Sequence, residues 1–450
     1  MSLGRYNRNM YFKDFPKLTG TLVLAVFFFG LLAFNQEVEH PANPQDQIKD
    51  ERRKISQLIA QPLREKKFEA AIKDLSSQQM LKFNYTLNSE MQNEAEKLLK
   101  SYKPDYGAIV VMDAKTGRIL AMSSFERGGE PHRFRKALDP EPTPLGNLNL
   151  RATYPAASIY KIITATAAIE RAGITPDHKI YYNGGAYTLY RRNVLSDRVT
   201  RYTNVISLRD AFARSINTAF GRVTLELLTP KDLQDFTQKF MFNQPLHTDF
   251  PVENSSAIIP AEKGFELTEV ASGYNNRNVM SPVHGAMIAG AVANDGVLMA
   301  PYLVEQVKDS TGNTLYQGKT LELQQVASKE NIYKLRELME RTVLAGTSRK
   351  SFRSLTRNRK FREIEMGGKT GHLTGTNPRG RVDWFVGYAI DGDEKISVAA
   401  LTVNRQFWTV KSSYLGQSMF RKYFIGSGGA LREKPDQQVA GLQHRPDSRD

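Results

Sequence analysis

The chain has 450 residues, no cysteine and a formal net charge of +15. That length can bury a full core and hold one large domain with accessory segments. The lack of cysteine excludes a disulfide framework, a thiolate metal site and a lipid-modified cysteine. Its seven histidines are scattered, without a His-x-x-His or His-Glu-x-x-His pair, so neither a metal nor another cofactor is predicted. The positive charge favours acidic partners such as lipid headgroups or anionic polymers, and no aromatic-basic module predicts nucleic-acid binding.

Residues 18–34 (LTGTLVLAVFFFGLLAF) form an uncharged, strongly apolar segment. As a helix it lies at the lower limit of length for crossing a bilayer. Four cations precede it within residues 1–17, whereas Glu37 and Glu39 follow it, so the positive-inside rule predicts a cytoplasmic N-terminus and an exported remainder. A cleaved signal peptide is the alternative, but no small-x-small cleavage site follows the apolar run. We therefore predict a cytoplasmic tail at 1–17 and a transmembrane anchor at 18–34.

Residues 35–104 are polar, charged and sparsely apolar. Apolar residues recur at roughly helical spacing between Ile48 and Leu75, which predicts a helical stalk or linker. A separate domain is less expected, because the stretch is short and poor in apolar residues. Globular patterning occupies 105–426, and the Gly-, Pro- and charge-rich residues 427–450 are predicted to be disordered.

A hydroxyl and an amine lie three residues apart in Ser158-Ile-Tyr-Lys161, where a helix is predicted to begin. Pro155 suits the approach to that helix, and Gly173 marks its end. Residues i and i+3 share a helix face, so the two groups should point the same way. A lysine whose pKa is lowered by burial or positive charge can activate a serine as a nucleophile. Alone, the pattern is more often a solvated helix start.

Ser215 and Asn217 form a second polar feature, two residues apart in a tight connection between predicted helices. The first of these helices opens at Ser207-Leu-Arg-Asp210, which resembles a capping box. Ser215 and Asn217 can face one way in such a connection. Turn residues that satisfy their own backbone are the alternative.

The third feature is Gly367-Gly-Lys369-Thr370-Gly371-His372, on a predicted strand. The glycines beside Lys369 permit close approach of a backbone or ligand. A lysine and a threonine hydroxyl there could bind a carboxylate. A phosphate-binding P-loop is excluded, because its Gly-x4-Gly-Lys-Ser/Thr spacing is not met.

Apolar runs around these features predict an antiparallel sheet. Residues 108–112 and 118–122 flank a turn signal and predict a β-hairpin, and residues 384–389 and 396–403 predict a meander after Lys369. Ser281-Pro282 is predicted to cap a helix, and residues 329–344 to form an amphipathic one.

Ser-x-x-Lys, Ser-x-Asn and Lys-Thr-Gly, in this order, characterise penicillin-binding proteins and class A β-lactamases. From Tyr106 to Tyr423 the chain resembles the transpeptidase domain of class B, or monofunctional, penicillin-binding proteins. The match extends to an opening hairpin at 108–122, a "TP…ANGG…PYLV" segment at 281–304 and a "WFVGYA" strand at 383–389. The resemblance implies an α/β (α+β) fold: an antiparallel sheet of about five strands flanked by helices, plus an all-helical subdomain, after one transmembrane helix.

The resemblance also implies catalytic roles. Ser158 would be the acylated nucleophile and Lys161 its general base. Ser215 would relay protons. The backbone N–H groups of Ser158 and His372 would form the oxyanion hole.

Substrate binding would fall to Asn217 and to the strand Lys369-Thr370-Gly371-His372. Asn217 would bind the peptide carbonyl of the substrate. Lys369 would keep Lys161 neutral by charge repulsion and attract the terminal carboxylate, to which Thr370 would add a hydroxyl. Cationic and hydroxyl groups in one cleft favour a neutral amine and an anionic substrate.

Two departures from the family pattern are visible. His372 stands where the family usually has Thr or Ser, which keeps the amide donor but removes a carboxylate-binding hydroxyl. Thr374 or Thr376 could replace that hydroxyl. In addition, only the predicted stalk fits where class B members carry a sizeable pedestal, and a glycosyltransferase domain has no room.

The leading interpretation is a membrane-anchored serine D,D-transpeptidase on the extracytoplasmic side of a bacterial cell membrane. Its partners would be peptidoglycan stem peptides, β-lactams as covalent inhibitors and the lipid bilayer through 18–34, with other wall-synthesis membrane proteins as further candidates. Attack by water instead of an amine would make it a D,D-carboxypeptidase. A β-lactamase is disfavoured, because no Glu-x-x-Leu-Asn lies between Asn217 and Lys369. A β-lactam sensor or scaffold is the non-enzymatic alternative.

Residues 347–362 (TSRKSFRSLTRNRKFR) carry seven cations and no acidic residue. A solvated loop before the Lys369 strand is the simpler interpretation. The alternative hypothesis is that this segment binds anionic headgroups or wall polymer near the cleft, an interaction that salt should weaken.

Overall fold

The computed structural model describes residues 43–74, 76–127, 146–406 and 408–425. The predicted tail at 1–17, the anchor at 18–34 and the C-terminal tail at 427–450 lie outside these residues. Within the ranges described, no helix is both long and apolar enough to span a bilayer. The chain separates into two units, Met1–Gln47 and Ile48–Asp450, and the second holds the three motifs.

Helices are numbered here in chain order. They are α1 Pro44–Leu58, α2 Ala60–Arg64, α3 Ser89–Tyr102, α4 Lys161–Ala172, α5 Arg191–Val194, α6 Leu208–Ala213, α7 Asn217–Leu227, α8 Pro230–Lys239, α9 Phe265–Ser272, α10 Pro282–Ala293, α11 Lys329–Leu344, α12 Arg349–Thr356 and α13 Ser412–Ile425. Short 3₁₀ turns occupy Leu148–Leu150, Ala157–Tyr160 and Arg359–Phe361.

Strands are numbered in the same way. They are β1 Ala71–Lys73, β2 Met80–Tyr85, β3 Tyr106–Asp113, β4 Ile119–Glu126, β5 Tyr154–Pro155, β6 Lys179–Tyr182, β7 Asn204–Ser207, β8 Val279–Met280, β9 Val297–Met299, β10 Val304–Lys308, β11 Thr314–Gln317, β12 Glu322–Gln325, β13 Glu365–Thr376, β14 Arg379–Asp391 and β15 Glu394–Asn404.

The central sheet has the strand order β13-β14-β15-β3-β4, and all its pairs are antiparallel. Along β3, Ala108 and Val110 belong to one apolar cluster, while Ile109 and Val111 belong to the other. Both faces are therefore covered, which explains why these strands read as continuous apolar runs rather than as alternating ones. The predicted five-stranded antiparallel sheet, built from a hairpin and a meander, is confirmed.

Helices cover both faces of this sheet. The buried helix α10 packs on β14, β15 and β3. Ser281 caps its N-terminus, as predicted: the serine side chain accepts a hydrogen bond from the His284 N–H at 3.2 Å. Helix α13 packs on the opposite face, against β14 and β15. The region between the Ser158 turn and α10 contains the six helices α4 to α9, with the two-stranded ribbons β5-β8 and β6-β7 as additions to the predicted all-helical subdomain. The fold is thus a mixed α/β sandwich around one central sheet.

The segment predicted as a helical stalk does contain three helices, α1, α2 and α3, but these are not its only elements. It contains the strands β1 and β2, which pair into a four-stranded sheet with β10 and β11. Leu81 and Phe83 alternate with exposed residues along β2 and are buried in the main core. The alternation of buried and exposed residues in β2 covers only six residues, and the partner strand β10 lies more than two hundred residues away. The helical spacing in the rest of the segment was therefore the stronger sequence signal, and the strands were not predicted.

A buried arginine fixes helix α1 in this region. The Arg52 side chain is fully buried and lies over the Tyr302 ring, with its guanidinium carbon 5.2 Å from the ring centroid. It donates to four main-chain carbonyls: His247 at 2.9 Å, Ala300 at 3.3 Å, Pro301 at 3.2 Å and Lys319 at 2.7 Å. The part of the helix from Ile48 to Leu58 therefore belongs to the second unit rather than to a free arm.

Candidate active site

Ser158 lies in the 3₁₀ turn Ala157–Tyr160, and helix α4 begins at Lys161. The sequence placed both residues in one helix, but the tighter turn preserves their common direction because positions i and i+3 also align in a 3₁₀ helix. The Lys161 Nζ lies 2.8 Å from the Ser158 Oγ. The predicted pairing of hydroxyl and amine is therefore present in the structure.

The Lys161 side chain is fully buried. Burial, and then the nearby charge of Lys369, lower its pKa well below the ordinary range. Its Nζ also contacts the Asn217 Oδ1 at 2.6 Å and the Ser272 carbonyl at 2.5 Å. A neutral amine has two N–H donors and one lone pair, which matches two acceptors plus the Ser158 O–H. This arrangement suits an amine that accepts the serine proton.

Ser215 lies in the connection between α6 and α7, as predicted, and has a positive φ of 60°. A left-handed backbone is costly for a residue with a side chain and is concentrated at functional sites. The Ser215 Oγ accepts from the Lys369 Nζ at 2.9 Å. The turn thus brings the second motif into contact with the third.

Asn217 is the first residue of α7 and is buried. Its Nδ2 donates to the Tyr187 carbonyl at 2.6 Å, which leaves its Oδ1 directed at Lys161. The amide is therefore held from both ends, and Asn217 links the Lys161 amine to the loop that carries Tyr187.

Lys369 lies on the edge strand β13 and is fully buried. Burial lowers its pKa to about 7. The amine donates to Ser215 and to the Thr370 carbonyl at 2.8 Å, and the Thr370 hydroxyl lies 2.5 Å from that of Thr347. A lysine of this kind is divided between its charged and neutral forms near neutral pH.

Gly371 permits a close approach between β13 and the nucleophile turn. A Cβ at this position would lie 3.1 Å from the Ser158 nitrogen and 3.2 Å from the Ile159 nitrogen, tighter than ordinary contacts. Gly273 closes the turn from the other side, where a Cβ would overlap the Ala157 carbonyl oxygen at 1.8 Å. Two glycines therefore set the distance between the strand and the Ser158 backbone.

His372, the departure from the family pattern, is exposed at the cleft. Its ring lies edge-on to Trp408, with 6.2 Å between centroids. Desolvation lowers the pKa of its imidazole, and the carboxylate of Asp383 opposes that effect. Because this pKa lies below its ordinary value of 6.5, the imidazole is mainly neutral at neutral pH.

Ser158, Ser215, Asn217, Thr370 and His372 help to line a cleft of about 530 Å³. Its lining residues are Ser158, Tyr187, Thr188, Arg214, Ser215, Asn217, Tyr274, Thr347, Thr370, His372, Leu373, Thr374, Arg381, Val382 and Trp408. None of them is acidic, and the two arginines are exposed. Thr374 shares a strand face with Thr370 and His372 and lines the cleft, whereas Thr376 does not line it. The cleft is thus suited to an anionic ligand.

Sequence reasoning missed several lining residues, among them Tyr187, Arg214, Tyr274, Arg381 and Trp408. Arg214 adjoins the Ser215 motif, and Arg381 lies opposite Thr374 in the β13–β14 register, so both could have been found from a predicted strand pairing. Trp408 comes from the loop after β15 and carries no pattern that would signal its position.

Comparisons with known proteins show which proteins this chain is similar to. The chain is 27% identical over 326 residues to "Peptidoglycan D,D-transpeptidase PbpA" of Mycolicibacterium smegmatis, covering 66% of this chain and 62% of that protein. It is 26% identical over 303 residues to "Stage V sporulation protein D" of Bacillus subtilis, covering 65% of this chain and 44% of that protein. The chain thus spans less than two thirds of the length of these two relatives.

Solved structures show the same fold. The D,D-transpeptidase domain of a peptidoglycan glycosyltransferase from Eggerthella lenta has a TM-score of 0.61 at 24% identity, covering 77% of this chain and 83% of that one. Penicillin-binding protein A from Mycobacterium tuberculosis, in its imipenem acyl-enzyme complex, has a TM-score of 0.59 at 22% identity, covering 75% and 78%. Residues 107–424 match the family model described as "Penicillin binding protein transpeptidase domain". The chain therefore belongs to the penicillin-binding protein transpeptidase family.

Proposed function

We propose that this protein is a serine D,D-transpeptidase that cross-links peptidoglycan stem peptides through an acyl-enzyme on Ser158. One observation carries the proposal: a fully buried Lys161 amine lies 2.8 Å from the Ser158 hydroxyl, in a cationic cleft. Membership of the family and the names of the relatives support it.

In the first step the Ser158 Oγ attacks the carbonyl carbon of the D-Ala-D-Ala bond, and its proton passes to the Lys161 amine. The oxyanion that forms accepts hydrogen bonds from the backbone N–H groups of Ser158 and His372. The C–N bond breaks as a proton reaches the leaving nitrogen through Ser215. Free D-Ala departs, and the acyl group remains on Ser158.

In the second step an amine from another stem peptide attacks the acyl-enzyme. The new amide forms as the attacking nitrogen loses a proton to the Lys161 amine, the bond to the Ser158 oxygen breaks, and Lys161 passes that proton to the freed oxygen. Lys369 has two roles in this scheme: its charged form attracts the substrate carboxylate and also disfavours protonation of Lys161. Asn217 and Thr370 complete the binding of the substrate.

The other activities of this fold differ in how the acyl-enzyme breaks down. Attack by water gives a D,D-carboxypeptidase, and a β-lactamase needs a base that makes this attack fast. The described residues that line the cleft include no carboxylate to serve as that base. We therefore expect a long-lived penicillin adduct, which favours the transpeptidase over the β-lactamase.

The proposed setting follows from the N-terminal sequence. Residues 18–34 would anchor the protein in the bacterial cell membrane, with residues 1–17 cytoplasmic and the cleft on the extracytoplasmic side, where peptidoglycan lies. β-Lactams would be covalent inhibitors at Ser158, and other wall-synthesis membrane proteins are candidate partners.

Intact-protein mass spectrometry after exposure to penicillin tests the proposal. We expect one stable adduct on the wild type, none on Ser158→Ala, and the wild-type result for the matched control Ser101→Ala, whose serine is exposed at the end of α3. An adduct on Ser158→Ala, or one that leaves the wild type within seconds, would contradict the mechanism. Incubation of the wild type with a pentapeptide stem, with and without an acceptor amine, then separates transpeptidation from carboxypeptidation.

A further inference from the structure

The ribbon β6-β7 and its connection, residues 179–207, form a surface that the proposed mechanism does not use; we call it the tyrosine–arginine hairpin. It holds seven of the thirteen exposed large hydrophobic side chains in the described residues, namely Tyr181, Tyr187, Tyr190, Leu195, Val199, Tyr202 and Val205. Tyr202 is 73% exposed and Tyr187 62%. Such a concentration of exposed apolar surface marks an interaction site.

Buried side chains and hydrogen bonds hold the hairpin against the rest of the fold. Ile180 and Tyr182 of β6 are buried against the core. The Asn183 side chain donates to the Arg198 carbonyl at 2.9 Å and accepts from the Thr203 hydroxyl at 2.8 Å. Because the inner face and the connection are both held, the outer tyrosines are presented at low entropic cost to a ligand.

Its charge is nearly all positive. Arg191, Arg192, Arg198 and Arg201 are exposed, and no ion pair involves them within the described part of the chain. The single acidic residue of the hairpin, Asp197, lies 2.6 Å from Arg222 of α7. The Arg201 guanidinium lies over the Tyr202 ring, 4.7 Å from the centroid. Guanidinium groups that have no ion-pair partner and lie near exposed tyrosine rings fit a ligand that has both carboxylates and apolar faces.

The surface is continuous with the cleft. Tyr187 and Thr188 line the cleft, and the Tyr187 carbonyl accepts from Asn217 beside Lys161. Any ligand held at Ser158 that extends past Asn217 therefore meets this hairpin next. Helix α12 also carries exposed cations, but unlike the hairpin it has no exposed aromatic ring, because its Phe352 is buried.

Resting on the proposed function, we propose that the tyrosine–arginine hairpin binds the glycan strand of the peptidoglycan whose stem peptide occupies the cleft. The tyrosine rings would pack on the apolar faces of successive sugars. The arginines would bind carboxylates near the sugar–peptide junction. The favoured occupant is this polymer rather than a protein, because the stem peptide is covalently attached to it and must leave the cleft across one of its edges.

Co-sedimentation of the full-length protein with purified peptidoglycan sacculi tests this inference. We expect Tyr190→Ser/Tyr202→Ser and Arg192→Gln/Arg198→Gln each to weaken binding about tenfold, the size of effect that interface anchors show. The matched control is Tyr333→Ser on α11, a tyrosine 48% exposed that also lies beside a lysine. Equal binding by the wild type and both double variants would overturn the inference.

A competition experiment identifies the occupant. Glycan strands stripped of their stem peptides by an amidase should displace the wild type from sacculi. Failure to displace it would overturn the proposal and leave the hairpin to a protein partner. Acylation by a small penicillin should be unchanged in both double variants, because the drug needs only the cleft. Loss of acylation in the wild type would refute the proposed function instead, so the two failures are distinguishable.

Discussion

The inner end of the cleft and its outer rim differ in how far their side chains are buried and hydrogen-bonded. At the inner end, Lys161, Asn217 and Lys369 are buried, and the polar side-chain atoms of all three have hydrogen-bond partners. At the rim, Arg214, His372 and Arg381 are exposed. The inner end thus fixes where protons reside, whereas the rim remains available to the ligand.

This difference bears on His372, one of the two departures from the family pattern. A change at the inner end would leave a buried polar group unpaired, which costs free energy as well as activity. His372 lies at the rim, where solvent can satisfy a replaced side chain and where the backbone contribution survives. We therefore expect substitutions at the inner end to have large effects and substitutions at the rim to have small ones.

The largest expected effect comes from Lys161→Ala. Removing the base should slow acylation by penicillin by about 10²–10⁴-fold, the usual contribution of a general base. Fluorescent-penicillin labelling over time measures the rate, circular dichroism checks the fold, and Lys350→Ala on the exposed surface is the control. A decrease below about tenfold would show that another group takes the proton.

The buried Lys369 should make stability depend on pH. Its pKa is about 7 in the folded protein against an ordinary value of 10.5, so the unfolded chain binds more protons between these values. The free energy of unfolding should therefore rise as pH rises from about 7 towards 10.5. Lys369→Met should reduce this slope to the share that Lys161 contributes, and it should impair acylation.

Urea unfolding across that pH range measures the effect. Lys350→Met, at an exposed position, should reproduce the wild-type slope. A Lys369→Met slope equal to that of the wild type would mean that the lysine is solvated in the folded state, which would break the contrast between inner end and rim.

At the rim, His372→Ala should slow acylation by carboxylate-bearing β-lactams by about two- to twelvefold, the value of one neutral hydrogen bond. Because the pKa of this imidazole lies below its ordinary 6.5, its cationic form should strengthen carboxylate binding only on the acidic side of that value. His372→Thr should recover part of the rate, since a hydroxyl can also donate. Rate–pH profiles of the wild type, His372→Ala and His372→Thr test this expectation. Identical curves would show that only the backbone of His372 contributes to acylation.

The smallest expected effect concerns the segment 347–362. The predicted solvated loop is instead helix α12 and a 3₁₀ turn, with Phe352 and Leu355 buried in the second apolar cluster and the cations outside. Thr347 joins its start to the cleft. Our hypothesis that it binds anionic polymer or headgroups predicts a few-fold loss of binding in Arg349→Gln/Arg353→Gln, and a smaller loss at high salt.

Binding to anionic vesicles and to sacculi, each at low and high salt, measures this effect. Lys231→Gln on α8, a lysine already paired with Asp235, is the control. Binding that is unaffected by either the substitutions or salt would leave these cations as a solvated surface.

The sequence allowed the sheet and the motif pairs to be predicted because both are local signals. Ser158 and Lys161 are three residues apart, and the strands of the meander follow one another directly. The structure brings all the predicted side chains together, while their catalytic roles remain predictions. Trp408 and Tyr187 reach the cleft from unrelated loops, which no spacing indicates.

The N-terminal segment shows the opposite case. Arg52 has the sequence pattern of a surface cation on a polar helix, yet it is fully buried. Its acceptors are main-chain carbonyls two hundred residues or so along the chain, and any residue type presents such a carbonyl. When a buried side chain donates only to backbone carbonyls, the sequence contains no partner side chain from which its burial could be predicted.

The attachment of Arg52 has a mechanical consequence. The Ala300–Tyr302 segment that it binds joins the β3–β4 end of the central sheet, where the Ile119 N–H donates to the Tyr302 carbonyl. The Ser158 turn contacts β13, at the opposite edge of the same sheet. Four strand spacings, about 19 Å, separate the two edges. Part of any tension applied to the chain at Ile48 would therefore reach β4, four strands away from the strand that contacts the nucleophile turn.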